Sequence, residues 1–289
     1  MHQIDIFLNF FGEGRADSLS VLRLDLPDPL SGGNKSFKLK YNLEEMKRLG
    51  CNKLLTFGGA FSNHIAAVAT AGKNNNIETT GIIRGDELNA DSNSVLKYAS
   101  GCGMKLIFVT REDYRKRNDP DFINSLHQCY GPAYILPEGG SNELAVKGCK
   151  EILSKETDDY DVIICPVGTG ATLAGIIAAA KPHQKIIGIA VLKGKGYLER
   201  EVNALLKNQQ VAAEWEINHD FTFGGYANPP TALYEFVNKV EKKFNLPLEP
   251  VYSGKALLAM VKIKKRNAFV GKHPLFIHTG GYAFTGYSV

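Results

Sequence analysis

The sequence predicts an α/β protein in two lobes, with open, parallel, twisted sheets covered by helices on both faces. From about residue 52 onward, segments typical of strands alternate with segments typical of helices. Most of these strands are continuous apolar runs, as expected where both faces of a parallel sheet are buried. Turns with paired or near-paired glycines follow several strands, and ligands of such sheets bind where the strands end.

The individual elements follow from hydrophobic periodicity and from turn residues. Residues 1–19 are expected to be irregular. Strands are predicted over residues 20–26, 53–57, 79–84, 105–109, 133–136, 162–165, 185–191 and 275–278. Helices are predicted from a cap at Asn34 to about residue 49, and over about 63–73, 91–100, 120–130, 143–154, 197–207, 230–244 and 255–265. A further helix is predicted from the glycine-rich loop at 168–170 to residue 180.

The composition is that of an ordinary globular chain. Its 289 residues suffice for one large or two moderate domains, and 44% of them are hydrophobic. The net charge of +4 is too mild to indicate nucleic acid or a membrane surface as partner. No apolar run approaches the roughly 20 residues of a membrane helix, and no secretory signal is visible.

The cysteines and histidines argue against a disulfide framework and against a metal site. The cysteines number five and form no close pair, and the seven histidines are scattered without metal-ligand spacing. We therefore expect no metal and a reducing, cytoplasmic setting.

The segment Gly32-Gly33-Asn34-Lys35-Ser36-Phe37-Lys38 is the most informative stretch. Its paired glycines open a tight turn, and Asn34 is expected to cap the helix that follows. Lys35 and Lys38 would then share one face near the helix start, where the helix dipole disfavours an ammonium. The lysines either point into water or surround a bound anion, with Lys35 kept partly neutral as a nucleophile.

A second glycine segment, Gly168-Thr169-Gly170, follows the predicted strand 162–165 and precedes a helix. The N–H groups of such a helix start bind anions, and Thr172 adds a hydroxyl. A dinucleotide fingerprint fits poorly, because Gly175 is not the glycine three positions on and no acid follows residue 191. A single phosphate is the more natural ligand, and a purely structural turn is the alternative.

The turn Gly58-Gly59-Ala60-Phe61-Ser62 precedes another predicted helix. Ser62 is placed either to cap that helix or to bind a substrate carboxylate together with neighbouring N–H groups. His64 has no visible acidic partner, and there is no Gly-x-Ser-x-Gly elbow, so the sequence does not indicate a catalytic triad.

In their order and spacing, these motifs resemble the family of 1-aminocyclopropane-1-carboxylate deaminase and D-cysteine desulfhydrase. The matching segments are residues 32–38, 58–64 and 167–172, with Pro-Val-Tyr-Ser-Gly-Lys at 250–255 and His-Thr-Gly-Gly at 278–281. The resemblance covers roughly residues 20–289. It implies an enzyme of fold type II, similar to tryptophan synthase β, with pyridoxal 5'-phosphate as cofactor.

The resemblance also implies roles for individual residues. Lys35 would be linked covalently to the cofactor aldehyde, and Lys38 would hold the cofactor phosphate. Asn63 would hydrogen-bond the ring hydroxyl, and Ser253 would face the pyridine nitrogen. The other cofactor-binding residues would be Val167, Gly168, Thr169, Gly170, Ala171, Thr172 and Thr279. The catalytic residues besides Lys35 would be Ser62, Tyr226 and Tyr252, and the substrate would contact Ser62, Asn63, His64, Tyr226 and Tyr252.

The same resemblance implies the domain organisation. A smaller α/β domain would span residues 40–145, and a larger cofactor-binding domain would combine residues 1–39 with 146–289. The expected partners are a small amino-acid substrate and a second copy of the chain in a homodimer, with neither nucleic acid nor a membrane.

Two positions favour the desulfhydrase branch. The deaminases place Glu where this chain has Ser253 and Leu where it has Thr279. A carboxylate at the pyridine nitrogen keeps it protonated and strengthens the electron sink that ring opening needs, whereas a neutral hydroxyl does not. The predicted reaction is therefore α,β-elimination, with D-cysteine converted to pyruvate, ammonia and hydrogen sulfide.

Three alternatives remain open. The first is 1-aminocyclopropane-1-carboxylate deamination to 2-oxobutanoate and ammonia. The second is a nicotinamide-dependent oxidoreductase, which lacks its ribose-binding acid here. The third is a non-catalytic module that binds a small anion.

Overall fold

The structure is a computed structural model that describes residues 3–11, 17–26, 32–192, 194–225, 229–265 and 269–281. Its strands are β1 Ile4–Phe7, β2 Leu19–Arg23, β3 Lys53–Gly59, β4 Glu78–Arg84, β5 Lys105–Val109, β6 Tyr134–Leu136, β7 Val162–Val167, β8 Lys185–Ala190, β9 Glu214–Asn218 and β10 Pro274–His278. Its helices are α1 Asn34–Arg48, α2 Asn63–Asn75, α3 Ser94–Gly101, α4 Arg111–Arg115, α5 Pro120–Tyr130, α6 Glu143–Cys149, α7 Ala171–Ala179, α8 Tyr197–Leu206, α9 Thr231–Phe244 and α10 Ser253–Lys265.

The strands form two separate sheets. The six-stranded sheet has the order β1-β2-β10-β7-β8-β9, and the four-stranded sheet has the order β5-β4-β3-β6. All pairs are parallel except β1 with β2. The α/β class with helix-covered parallel sheets is therefore confirmed. The smaller sheet uses strands between residues 53 and 136, whereas the domain boundaries at 40 and 145 stay a prediction.

Both faces of each sheet are buried, which explains the continuous apolar runs. In β7, Ile163 faces the core under α6 and α7, while Ile164 faces the core under α9 and α10. In β3, Leu54 packs with α2 and Phe57 packs on the opposite face beside Tyr114. Successive side chains of a strand point to opposite faces, so strands covered twice have no polar alternation.

Two strands were not predicted from the sequence. The expectation of an irregular N-terminus is wrong, because β1 pairs antiparallel with β2 and its Asp5 forms an ion pair with Arg23 at 2.8 Å. Strand β9 pairs with β8. Both lie at the edges of the larger sheet and are only partly buried, so neither has the apolar run that identified the other strands.

Three helix ends also differ from the prediction. Asn34 is not the cap of α1: Gly33 is, and within the described ranges no side chain caps this helix. The predicted helix 143–154 ends at Cys149 and continues as a short 3₁₀ turn, residues 150–152. The helix predicted from residue 91 begins at Ser94, because Asn93 accepts the N–H of Leu96 and caps it there.

The carboxyl ends of the parallel strands position the site. In the four-stranded sheet, β3 is followed by the turn that contains Ser62, and β6 is followed by the turn of Glu138, Gly139 and Gly140. Strand β4 ends at Arg84. In the six-stranded sheet, β7 and β10 lead into the 168–170 loop and into Thr279. Among the described residues, no helix is both long and apolar enough to cross a membrane.

Candidate active site

The ends of both sheets border one cavity of about 600 Å³. It brings together most of the residues singled out in the sequence. The cavity is lined by Lys35, Lys38, Ser62, Asn63, His64, Val167, Gly168, Thr169, Gly170, Thr172, Tyr252 and Thr279. Ala171 and Ser253 are fully buried and do not line it. Tyr226 lies outside the described residues, so its expected place at the site stays a prediction.

The segment of residues 32–38, called the lysine turn from here on, is held against the end of β10 by hydrogen bonds and close contacts of its backbone. The N–H of Asn34 donates to the Thr279 carbonyl oxygen at 3.1 Å. Gly33 has a φ of 66°, and a Cβ atom at this position would lie 2.2 Å from the same oxygen. Only glycine combines this positive φ with such a close approach, so the glycine before Asn34 determines where Lys35 and Lys38 lie.

Asn34 connects the lysine turn to the loop of residues 168–170, called the glycine loop from here on. Its side-chain Oδ1 accepts a hydrogen bond from Lys35 Nζ at 2.9 Å, and its Nδ2 donates to Thr172 Oγ1 at 2.8 Å. One amide therefore joins the reactive amine to the loop at the start of α7. The two motifs that the sequence suggested for a shared cofactor lie in direct contact.

The amine of Lys35 is poised close to neutrality. Burial, and then the positive charge of Lys38, lower the pKa of Lys35 to about 7. An amine with this pKa is unprotonated in a large fraction of molecules at neutral pH, as a nucleophile toward a carbonyl group requires.

Lys38 lies in the same cavity but has a different environment. It is almost fully buried, and its Nζ donates to the Gly139 carbonyl oxygen at 2.9 Å and contacts Thr169 Oγ1 at 3.4 Å. Burial lowers the pKa of Lys38. A buried ammonium with only neutral partners is stabilised by an anion, and Thr169 belongs to the loop in which an anion would bind.

The glycine loop presents an uncapped helix end to the cavity. Helix α7 begins at Ala171 after Gly170, and no side chain of the described residues caps it. The N–H groups of its first turn therefore have no partner within the helix, and they favour an anion. A Cβ atom on Gly168 would lie 3.0 Å from the ring of Tyr252, so the loop and this ring pack closely at the cavity.

The turn before α2 places Ser62, Asn63 and His64 on the opposite wall. Ser62 is the N-cap, and its Oγ accepts the N–H of Ile65 at 3.4 Å, so the predicted capping role is confirmed. His64 is buried, with its Nε2 2.8 Å from Thr56 Oγ1. Its Nδ1 is buried without a hydrogen-bond partner among the described residues.

Ser253 has a partner that the sequence did not reveal. Its Oγ lies 3.1 Å from Glu249 Oε1, and the same carboxylate accepts the backbone N–H groups of Val251 and Tyr252, each at 2.7 Å. Burial raises the pKa of Glu249, and these N–H groups oppose that effect. A buried carboxylate thus stands directly behind the serine expected to face the pyridine nitrogen.

Sequence reasoning also missed several residues around the cavity. The turn of Glu138 and Gly139 had a usable signal, since it carries paired glycines directly after a strand, as the other turns do. Arg84 ends β4 and also lines the cavity, together with Arg117. A lone arginine at a strand end has no distinctive sequence signal.

The residues present fit pyridoxal 5'-phosphate. The cofactor needs a neutral amine for its aldehyde and a cradle for its phosphate. Lys35 supplies the amine. Lys38 and the start of α7 supply the cradle, because neither the buried ammonium nor these N–H groups have an anionic partner among the described residues.

Comparison with known proteins agrees with this fit. The family model described as pyridoxal-phosphate dependent enzyme matches residues 15–280. A putative 1-aminocyclopropane-1-carboxylate deaminase from Thermotoga maritima is 29% identical, over 95% of this chain and 92% of that protein. The bifunctional D-cysteine desulfhydrase/1-aminocyclopropane-1-carboxylate deaminase of Arabidopsis thaliana is 30% identical, over 94% of this chain and 74% of that protein.

Solved structures show the same fold. A crystal structure of a 1-aminocyclopropane-1-carboxylate deaminase homologue matches with a TM-score of 0.80 and 24% identity, over 98% of this chain and 90% of that one. A hydrogen sulfide-producing enzyme from Fusobacterium nucleatum matches with a TM-score of 0.68 and 12% identity, over 98% and 96%. The chain therefore belongs to the pyridoxal-phosphate dependent enzymes, and its relatives include proteins named as 1-aminocyclopropane-1-carboxylate deaminases and a D-cysteine desulfhydrase.

Proposed function

We propose that this enzyme catalyses α,β-elimination on a small β-substituted amino acid, and that D-cysteine is the first substrate to try. The observation that supports it most is the Lys35 amine, lowered in pKa and joined through Asn34 to the glycine loop. The choice of elimination rests on Ser253 and Thr279, where a carboxylate and a leucine would be expected for ring opening.

Bound pyridoxal 5'-phosphate supplies an electron sink for the charge left on the substrate α-carbon. The residues of the chain do the rest in this proposal. Lys38 and the N–H groups of α7 hold the phosphate, and Ser62 and Asn63 at the start of α2 bind the substrate carboxylate. The Lys35 amine, free of the cofactor while substrate is bound, would take the α-proton, and the electrons of the C–H bond would form a Cα=Cβ double bond. The β-substituent would leave with its electron pair as sulfide, and water would complete the release of pyruvate and ammonia.

The other assigned side chains shape the cavity in the proposal. Tyr252 packs against Gly168 and would cover the substrate, with Tyr226 beside it. Asn63 lies close to Gly281 and would also meet the cofactor ring. We further propose the larger and smaller domains outlined above, a homodimer, and a cytoplasmic location.

The second candidate is 1-aminocyclopropane-1-carboxylate deamination. The names of the relatives from Thermotoga maritima and Arabidopsis thaliana favour it as strongly. Glu249 adds a physical argument, because a carboxylate beside Ser253 Oγ brings negative charge near the expected place of the pyridine nitrogen.

The deciding experiment is a panel of D- and L-amino acids with 1-aminocyclopropane-1-carboxylate, scored for keto acid, ammonia and sulfide. Elimination predicts pyruvate and sulfide from D-cysteine, whereas 2-oxobutanoate from the cyclopropane at a comparable rate would overturn it. Lys35→Ala should lose the visible absorbance of the lysine-bound cofactor, and Lys47→Ala, at an exposed position of the same helix, should keep it.

A further inference from the structure

Arg84 brings a cation to the cavity that the proposed reaction does not use. It is the last residue of β4, paired in register with Gly59 of β3. Its Nη2 lies 3.5 Å from the position that a Cβ atom would take on Gly59. Because Gly59 has no side chain, the guanidinium reaches the turn that leads to Ser62. This turn lines the same cavity as Lys35.

A second guanidinium nearby has its charge balanced. Arg117 Nε lies 2.8 Å from Glu138 Oε2, although the N–H bond is not aimed at that oxygen. The other oxygen of Glu138 accepts the hydroxyl of Tyr114 at 2.7 Å. Glu138 is therefore committed to Arg117 and Tyr114.

Arg84 has no such balance. Within the described parts of the chain, no carboxylate lies at ion-pair distance from it. Its guanidinium lies 5.8 Å from the ring centroid of Tyr114, and the Arg117 guanidinium lies 5.2 Å from the same centroid. Two guanidinium groups therefore lie beside the ring of Tyr114, and the carboxylate bonded to that tyrosine, Glu138, pairs with Arg117 and not with Arg84.

The other described charged residues of the cavity also leave Arg84 without a partner. In the proposed function Lys38 is assigned to the cofactor phosphate and Lys35 to the cofactor aldehyde. The other carboxylate that lines the cavity is that of Glu201, which lies on helix α8. Arg84 is exposed on the cavity side of β4. A guanidinium within reach of the turn before Ser62, with no carboxylate partner among the described residues, is a typical site for a carboxylate or phosphate.

We propose that Arg84 binds an anionic group at the end of the substrate side chain, so that this enzyme prefers amino acids with a side-chain thiolate, carboxylate or phosphate over neutral ones. The inference rests on the proposed function, because it refines the substrate class of the same site. The α-carboxylate stays with the turn of Ser62, so Arg84 discriminates among side chains.

The test compares aspartate with asparagine, which have nearly the same shape and differ in side-chain charge. Dissociation constants of the D- and L-forms are measured on the cofactor-loaded protein by the change in cofactor absorbance. We expect aspartate to bind about tenfold or more tightly than asparagine. In Arg84→Gln the two constants should become equal through loss of aspartate binding alone, and Arg84→Lys should retain part of the preference.

Arg115→Gln is the matched control, because Arg115 is exposed on α4 and does not line the cavity. Equal binding of aspartate and asparagine by the unmodified protein would overturn the proposal. Equal weakening of both ligands in Arg84→Gln would also overturn it, since Arg84 would then bind the α-carboxylate. If Arg84→Gln lowers the stability but leaves the ratio of the aspartate and asparagine dissociation constants unchanged, Arg84 only packs against Tyr114 and the proposal is overturned.

These outcomes are separate from the fate of the proposed reaction. The binding ratio needs no turnover, so a preference for aspartate that Arg84→Gln removes would stand even if D-cysteine gave no sulfide. Conversely, D-cysteine turnover without any charge preference would support elimination and reject the role of Arg84.

Discussion

The Thr56 hydroxyl lies between His64 and the backbone of β6: its Oγ1 is 2.8 Å from His64 Nε2 and donates to the Leu136 carbonyl oxygen at 2.8 Å. A hydroxyl has one proton, and here that proton is used in the hydrogen bond to the Leu136 carbonyl oxygen. Nε2 of His64 must therefore carry the ring proton, which leaves Nδ1 as an acceptor at the cavity wall. Burial, followed by the charges of Lys35 and Lys38, keeps the pKa of His64 well below its ordinary value, so the ring stays neutral.

Thr56→Val should therefore lower the free energy of unfolding by about 1–3 kcal/mol, because a buried N–H and a buried carbonyl both lose their partner. Urea unfolding of the cofactor-free protein measures the change, and Thr56→Ser, which keeps the hydroxyl, is the control. Nitrogen NMR of labelled histidine should show the His64 proton on Nε2 between pH 6 and 8. A proton on Nδ1 would contradict the assignment.

Lys35 should make the stability of the cofactor-free protein depend on pH. Its pKa is about 7 in the folded protein and about 10.5 in the unfolded chain. Between these values the unfolded chain binds more protons, so stability rises with pH, by at most about 1.4 kcal/mol per pH unit from this group. Lys35→Met should flatten the rise between pH 7 and 10, as followed by urea unfolding. An unchanged slope, matching that of the control Lys47→Met, would refute the lowered pKa.

Lys38 should matter for the phosphate of the cofactor and little for its ring. Lys38→Met removes a charge-assisted contact, so the affinity for pyridoxal 5'-phosphate should fall about 10- to 100-fold. The affinity for pyridoxal, which lacks the phosphate, should change little. Fluorescence titration measures both, and Lys40→Met, on the same helix but exposed, is the control. Equal losses for both ligands would mean that Lys38 only supports the fold.

Lys255 fixes three backbone segments with one buried ammonium. Its exposure is 0%, and its Nζ donates to the carbonyl oxygens of Val191, Thr222 and Gly225 at 3.2, 3.0 and 2.7 Å. Lys255→Ala should cost about 2–4 kcal/mol of unfolding free energy, because these carbonyl groups lose their donor. Ammonium or potassium chloride should restore part of it, and choline chloride should not, since only the small cations fit the vacated space. Equal effects of all three salts would reject this reading, and Lys262→Ala is the control.

Glu249 should block a simple conversion of the site to the deaminase pattern. Ser253→Glu would bury a second carboxylate beside Glu249, whose oxygen is 3.1 Å from Ser253 Oγ. We expect a strongly destabilised protein with weak cofactor binding. Ser253→Glu combined with Glu249→Gln should recover stability in thermal unfolding and gain turnover of the cyclopropane substrate relative to D-cysteine. Full stability of the single variant would show that the two side chains do not compete.

The parts of the fold that were predictable have a local cause. Strands β7 and β8 are apolar throughout because both of their faces are covered, and Ser62 caps α2 through an oxygen in its own turn. Strand β9 was missed because an edge strand needs no apolar run. Asn34 was assigned a capping role, whereas its amide in fact bridges Lys35 and Thr172, which is 138 residues away from it. Nothing in the neighbouring sequence encodes a bridge of that length.

By itself, the sequence determined the chemistry available to this protein: a lysine after paired glycines, a second lysine one helical turn later, and a glycine loop at the start of a helix. These features depend on backbone freedom and helix geometry, which act over a few residues. The tertiary structure alone decided which groups are buried together. It lowered the pKa of Lys35, placed Glu249 behind Ser253, and brought Arg84 to the cavity with no carboxylate at ion-pair distance in the described part of the chain. Desolvation and Coulomb interactions depend on distances between chain segments far apart in sequence, and only the folded protein sets those distances.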